Sequence, residues 1–366
     1  MTATVPRPSP ARQPLTALRD RALRLAELVT TPLLPADYLD MVNPLRAGTD
    51  LRGRVEAVHP ETRDAATLVI RPGADWRPHV PGQWIRVGVD VDGVRQWRAY
   101  SLTSDRTRTD GCISITVKAM PGGKVSNQLV HRTAPGTLVH LDQAAGEFVL
   151  PTPAPAKALF VTAGSGITPV MGILRNHPEL SDVVLVHSAP TADDVVFGAE
   201  LRDLAAAGRI RLVEQHTDTA GQLDPAALAA LVPDLTERAA WACGPVGMLE
   251  ALEEYWTSAG LADRLVTERF RPTVVVAGEG GTVSFSRTGT TLEADGATPI
   301  LDAAEEAGVL MPSGCRMGIC FGCVLPLREG AVRDLRNGEV TTAAPGDGVL
   351  IQTCVSAAAG ACDIDH

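Results

Sequence analysis

The sequence predicts a multidomain β and α/β chain: an antiparallel β-barrel, then a Rossmann-like domain on a parallel sheet, then a small β-rich domain around a cysteine loop. Three observations carry this. Between residues 50 and 150, short apolar runs alternate with Pro-Gly and Asp-Gly turns, the spacing of a small antiparallel barrel. Between 157 and 270, apolar runs alternate with helical stretches, the βαβ rhythm of a parallel sheet. Further on, Cys315, Cys320 and Cys323 are spaced C-x4-C-x2-C, and Cys354 follows after thirty intervening residues.

Length and composition bound the rest. A chain of 366 residues holds two or three domains with real cores. With 45% hydrophobic and 21% charged residues it is not a wholly disordered chain. A net charge of −10 argues against nucleic acid as a partner. No apolar run reaches the roughly 18 residues of a membrane span. Seven cysteines, an odd number, and no secretory leader point to a reducing cytoplasm, with thiols used for metal or chemistry.

Taken in order, residues 1–48 read as an arm. Its first fourteen residues are rich in Pro and Arg and are expected to be disordered. Leu15, Leu18, Ala22, Leu25 and Val29 then share one helical face that stops near Pro32. That helix packs on the first domain, or else serves as a docking or membrane-surface element with Arg19, Arg21 and Arg24 outward. Residues 49–152 form the barrel, with strands over 53–58, 66–70, 84–89, 113–117 and 138–141. Pro151, Pro153 and Pro155 mark a linker. Residues 156–271 form the parallel sheet, with strands over 158–161, 183–186, 210–213 and 239–242. A glycine-bearing linker leads to the last domain, 280–366, with a helix over 299–307. Residues 279–366 carry five basic and twelve acidic side chains, so a net −7 of the chain's charge sits there.

The cysteine spacing is that of a plant-type [2Fe–2S] cluster, with Cys315, Cys320, Cys323 and Cys354 as thiolate ligands. A negative cluster needs N–H donors round its sulfurs. Gly314, Gly318 and Gly322 let the loop wrap tightly enough to supply them, and Arg316 adds positive charge. A four-cysteine zinc site is the alternative, although zinc usually takes two C-x2-C knuckles. Cys112 and Cys362 fall outside the pattern and read as structural.

Two further segments carry chemistry. Arg98-Ala99-Tyr100-Ser101-Leu102-Thr103 ends a barrel strand, and Gly122-Gly123-Lys124-Val125-Ser126-Asn127 opens a helix. Alone, these could be a surface charge and an N-cap. In the second domain a strand runs into Thr162-Ala163-Gly164-Ser165-Gly166-Ile167-Thr168-Pro169 and a helix, where glycines let backbone approach a pyrophosphate at a helix N-terminus. Trp241-Ala242-Cys243-Gly244-Pro245 follows a later strand; alone, Cys243 could be a small buried thiol.

Together these motifs resemble the ferredoxin–NADP reductase superfamily, and the last domain resembles plant-type ferredoxins, a β-grasp fold, through Pro312–Cys320 and Ile351-Gln352-Thr353-Cys354. Phe321 departs from the ferredoxin pattern, where many members have a small residue. The resemblance spans about residues 50–366. It implies that Arg98 pairs with a flavin phosphate, Tyr100 packs on the isoalloxazine, and Ser101, followed by Leu102, hydrogen-bonds its N5 edge. It implies that Gly123, Val125 and Ser126 meet the pyrophosphate, and that Gly164, Gly166, Thr168 and Pro169 hold the nicotinamide dinucleotide. Cys243, with Gly244 and Pro245, would then lie at the hydride-transfer position, with Ser101 and Cys243 as the catalytic pair. Glu268-Arg269-Phe270 resembles the terminal segment that closes over the flavin. The implied flavin is FAD, with FMN the alternative.

NADH and NADPH are not distinguished. The residues after the second strand, His187-Ser188-Ala189-Pro190-Thr191, include no Arg, while Arg202 and Arg211 could reach in from elsewhere. The resemblance implies an NAD(P)H-dependent oxidoreductase that passes electrons through FAD and a [2Fe–2S] cluster to a redox partner. The segment Thr31-Pro32-Leu33-Leu34-Pro35-Ala36-Asp37-Tyr38 and the cysteine loop resemble actinobacterial reductases of fatty acyl-CoA desaturases; a P450 or another oxygenase is the other partner class. Peripheral association with a membrane-bound partner is consistent with the arm. A stand-alone diaphorase, a quinone or oxygen reductase, and a non-catalytic redox sensor remain open alternatives.

Overall fold

The computed structural model describes residues 40–48, 50–91, 93–270, 277, 279–314, 316, 318 and 321–366. The expected N-terminal helix, the segment 31–38 and the residues Cys315, Met317, Ile319 and Cys320 lie outside the described residues.

The first domain is a six-stranded antiparallel sheet: β1 (Arg52–Thr62), β2 (Ala65–Pro72), β3 (Trp84–Val91), β4 (Val94–Ser101), β5 (Ile113–Lys118) and β6 (Leu138–Leu141). Their order is β4-β3-β6-β1-β2-β5, and a bridge between Leu102 and Ile115 ties the two ends into a barrel. Val55, Leu68, Ile70, Ile85, Val87, Ile115 and Val139 fill its interior. The strand β4, VRQWRAYS, has no apolar run, and its strand character comes from eight register pairs with β3, from Val91↔Val94 to Trp84↔Ser101.

The second domain is a five-stranded parallel sheet in the order β11-β10-β7-β8-β9. Its strands are β7 (Ala158–Ala163), β8 (Val183–Ala189), β9 (Arg211–His216), β10 (Ala239–Cys243) and β11 (Leu265–Glu268). Side-chain alternation splits its core in two. Phe160 and Trp241 join one cluster with the helix Ile167–Asn176, while Leu159, Val161 and Ala242 join the other with the helix Val246–Ser258. The four-residue strand β11, LVTE, is too short to read from sequence and is fixed by pairing with β10.

The first two domains share a packed seam. Phe148 and Leu150, which follow the barrel, are buried in the second domain's core. Arg175 donates to the Thr103 carbonyl at 2.5 Å and Asn176 to the Ser104 carbonyl at 2.9 Å. A Cβ at Gly172 would stand 2.3 Å from the Leu102 carbonyl oxygen, so only glycine lets this helix lie so close to the end of β4.

The third domain has β12 (Gly281–Phe285), β13 (Thr290–Ala294), a helix (Ile300–Glu306), β14 (Val324–Asp334), β15 (Val340–Ala343), β16 (Val349–Gln352) and β17 (Ser356–Ile364). The sheet runs β13-β12-β17-β14-β15, with β16 on β14 and β12 parallel to β17. Its helix packs Ile300, Leu301 and Ala304 into the same core as Cys323 and Cys354. Among the described residues, no helix is long and apolar enough to cross a membrane.

Candidate functional site

The end of β4 opens onto a cleft lined by Trp84, Ala99, Tyr100, Ser101, Glu268 and Phe270. Two domains therefore build it: the barrel supplies the first four residues, the end of β11 Glu268, and the segment after it Phe270. Ser101 is 2% exposed, and its Oγ has no hydrogen-bond partner. A buried orphan hydroxyl is costly unless something else uses it, so this atom fits a polar edge of a bound ring. Desolvation pushes the Tyr100 phenol well above its usual range, so it stays neutral beside that cleft.

Cys243 ends β10 with its side chain fully buried. It stands in register with Thr162 on one side and Glu268 on the other. Burial pushes its thiol up, and the adjoining Glu268 adds to that. Glu268 is itself raised to about 8 by desolvation, and its Oε2 has no partner. Near neutral pH this pair is protonated and uncharged, which leaves a carboxyl proton beside the cleft. Sequence reading placed Glu268 only by resemblance and outside the working residues. Its position depends on strand register, which no local pattern reveals.

The glycine turn lies directly against the same strand end. Gly164 has φ +53, and a Cβ on Gly166 would stand 2.0 Å from the Cys243 carbonyl oxygen. Gly244 is packed against Ala163 and Met248. Thr168 caps the turn internally, donating to the Ser165 carbonyl at 2.9 Å, and Pro169 is buried in the following helix. Pro245 precedes the helix Val246–Ser258 as its N-cap. The structure thus brings both nucleotide motifs to one place, at the carboxyl ends of β7 and β10, where open parallel sheets bind ligands.

The other expected residues divide. Gly123 caps and Val125 sits in a one-turn helix, Lys124–Asn127, with Gly122 at φ +71. The Ser126 hydroxyl locks this turn, accepting from the Met120 N–H at 3.0 Å and donating to the Gly123 carbonyl. Arg98 points to the third domain: it donates to the Trp97 carbonyl at 2.8 Å and to Ser313 Oγ at 3.0 Å, and burial lowers its pKa to about 10. Of the two arginines weighed for a 2′-phosphate, Arg211 opens β9 at the far end of the sheet. Arg202 lies nearer the carboxyl ends, bonded to Glu214 and to the Ala192 carbonyl.

In the cysteine loop, Cys323 and Cys354 are buried in one core, and Thr353 Oγ1 donates to the Cys323 carbonyl at 3.0 Å. Cys315 and Cys320 lie outside the described residues. Gly318 has φ +73, and its carbonyl accepts from Gln352 at 2.9 Å and Arg336 at 3.0 Å. Among the described residues, Arg336 is a guanidinium whose charge acts on Cys323 and Cys354, while it also pairs with Asp334 at 2.6 Å; sequence spacing did not single it out. Arg316 is instead taken up by Asp302 and Glu305. Two buried thiols in one core, near the Gly318 carbonyl that Gln352 and Arg336 hold, fit a thiolate-ligated anionic cluster.

Comparisons with known proteins agree with this geometry. The model of the oxidoreductase FAD-binding domain matches residues 72–150, that of the oxidoreductase NAD-binding domain residues 160–254, and that of the 2Fe-2S iron-sulfur cluster binding domain residues 284–359. The chain is 50% identical to an NADPH oxidoreductase of Mycobacterium tuberculosis, over 97% of this chain and 96% of that protein. It is 31% identical to the ferredoxin reductase component of 3-ketosteroid-9-alpha-monooxygenase of Mycolicibacterium smegmatis, covering 76% of this chain and 86% of that one. Among solved structures, phthalate dioxygenase reductase shares the fold with a TM-score of 0.58 at 23% identity, over 86% of this chain and 97% of that one.

Proposed function

The chain belongs to the family of modular NAD(P)H-dependent oxidoreductases that join FAD-binding, NAD-binding and 2Fe-2S domains, and on that basis we propose that it is the NADPH-dependent reductase component of an oxygen-activating system whose terminal enzyme is a fatty acyl-CoA desaturase. The observation that carries the reading is the meeting of the orphan Ser101 hydroxyl and Glu268 at one cleft, with Cys243 in register behind Glu268 on the neighbouring strand. FAD when bound accepts an electron pair as hydride, and a [2Fe–2S] cluster handles electrons singly.

The chain's own residues then orient and insulate. Ser101 offers a hydrogen bond at the cleft wall, and Tyr100 an aromatic face. The neutral Cys243 and Glu268 place no charge against the reacting ring, and Glu268 holds a proton at its carboxyl. The turn from Gly164 to Gly166 and the following helix N-terminus receive a pyrophosphate. Cys315, Cys320, Cys323 and Cys354 would hold the cluster, with Arg336 offsetting its charge. Donor choice leans on the 50% identical NADPH oxidoreductase and on Arg202 near the ends of β8 and β9. The desaturase assignment leans on the sequence of residues 31–38 and of the cysteine loop. A P450 or ring-hydroxylating oxygenase is the second reading, favoured by the monooxygenase reductases among the relatives.

An absorbance spectrum followed by anaerobic titration tests this. Flavin bands and broad iron–sulfur absorption, both bleached by NADPH at lower concentration than by NADH, are expected. Absence of flavin bands would sink the reading. Cys320→Ser should remove the iron–sulfur absorption and leave bleaching of the flavin by nucleotide intact.

A further inference from the structure

We infer that Glu305 is a positioning residue that docks the third domain on the first, holding Arg98 of the barrel and Arg316 of the cysteine loop in one ion-pair bridge and so setting how that loop faces the cleft at Tyr100 and Ser101. This rests on the reading of cleft and loop as successive stations for electrons.

The contacts are specific. Arg98 lies on β4, two residues before Tyr100. Its Nη1 donates to Ser313 Oγ at 3.0 Å, across 215 positions of sequence, and its Nη2 lies 3.8 Å from Glu305 Oε1. Ser313 is 1% exposed and stands two residues before Cys315. The same Glu305 oxygen pairs with Arg316, whose other terminal nitrogen holds Asp302 on the same helix. The side chains of Arg98, Glu305 and Arg316 are only 19%, 15% and 21% exposed. Two cations and two anions thus alternate across the seam, Arg98–Glu305–Arg316–Asp302, with no net charge to desolvate.

Electrostatics single out Glu305 within that chain. Among the described residues it is the one anion paired with both arginines, whose own charges repel across the domain boundary. Its carboxylate converts that repulsion into attraction, and partial burial spares the bridge much of the screening that weakens exposed pairs. Asp302 pairs with Arg316, within its own domain. Arg316 also holds a backbone φ of +60, the left-handed region that non-glycine residues seldom adopt, and its ion pairs hold the side chain at that strained position. A side chain that belongs to one domain by sequence therefore governs the distance and orientation between two.

The test uses the full chain with its cofactors, comparing wild type, Glu305→Gln, Ser313→Ala and Asp302→Asn. In anaerobic stopped-flow, Glu305→Gln should leave flavin reduction by nucleotide unchanged and slow the following bleaching of the cluster by about threefold to tenfold. Ser313→Ala should slow it less, and Asp302→Asn least. In small-angle X-ray scattering, Glu305→Gln should give a larger radius of gyration at low salt, matching wild type at high salt. Unchanged scattering and cluster bleaching in both Glu305→Gln and Ser313→Ala would overturn the inference, as would an equal effect from Asp302→Asn. Failure of wild type to bleach its flavin would instead overturn the proposed function.

Discussion

Ser101 carries a buried hydroxyl with no hydrogen-bond partner among the described residues. Removing it should therefore cost little stability, while any hydrogen bond it gives to a bound ring disappears. Ser101→Ala is expected to keep its thermal midpoint and slow flavin reduction by about tenfold, one lost hydrogen bond's worth; a melt beside stopped-flow reads both. Glu268 makes the complementary case. Its carboxyl titrates at about 8 in the folded chain and near the ordinary 4.5 when unfolded. A raised folded pKa contributes stability that is present below 4.5 and lost as pH rises through 8, because the unfolded chain gives up the proton first. Glu268→Gln should flatten that decline, so its melting temperature relative to wild type rises between pH 5 and pH 8. A constant difference across that range would place the carboxyl's pKa elsewhere.

At the scale of elements, close backbone approach does the positioning. The helix Ile167–Asn176 begins against the end of β10 because Gly166 has no Cβ to strike the Cys243 carbonyl. Gly166→Ala keeps a helical φ but pushes the helix off the strand. It should destabilise by about 1–3 kcal/mol, as overpacking does, and weaken nucleotide binding while FAD stays bound; melts and fluorescence titration measure the two effects. The barrel's β4 illustrates the opposite dependence. Its sequence is polar, and it is a strand because β3 pairs with it along its full length. Strands that depend on their partners, the polar β4 and the four-residue β11, are the ones that carry Arg98, Tyr100, Ser101 and Glu268.

At the scale of the whole molecule, charge is uneven. Residues 279–366 hold a net −7 against −10 for the chain, on the domain that would hand electrons on. Electron delivery to the physiological acceptor should slow as ionic strength rises from about 0.05 to 0.5 M, while reduction of a small neutral acceptor changes little. Equal salt dependence for both would remove electrostatic docking as its cause. The same whole-molecule view separates what was legible in the sequence from what was not. The cysteine spacing, the glycine turn after β7 and the period of apolar runs are local, so the chain alone determined the three-domain order, the barrel, the parallel sheet and the fold of the third domain. The site was legible as separate motifs, since Arg98–Ser101 and Trp241–Pro245 each carry a pattern. Their convergence was not, because register across β7, β10 and β11 sets Cys243 beside Glu268, and domain packing brings Glu268 to the cleft at Ser101. Arg98 faces Ser313 and Glu305, and Arg336 faces the buried thiols, for the same reason. Sequence patterns record what each segment prefers beside itself, whereas contacts between residues hundreds of positions apart exist only once the chain has folded.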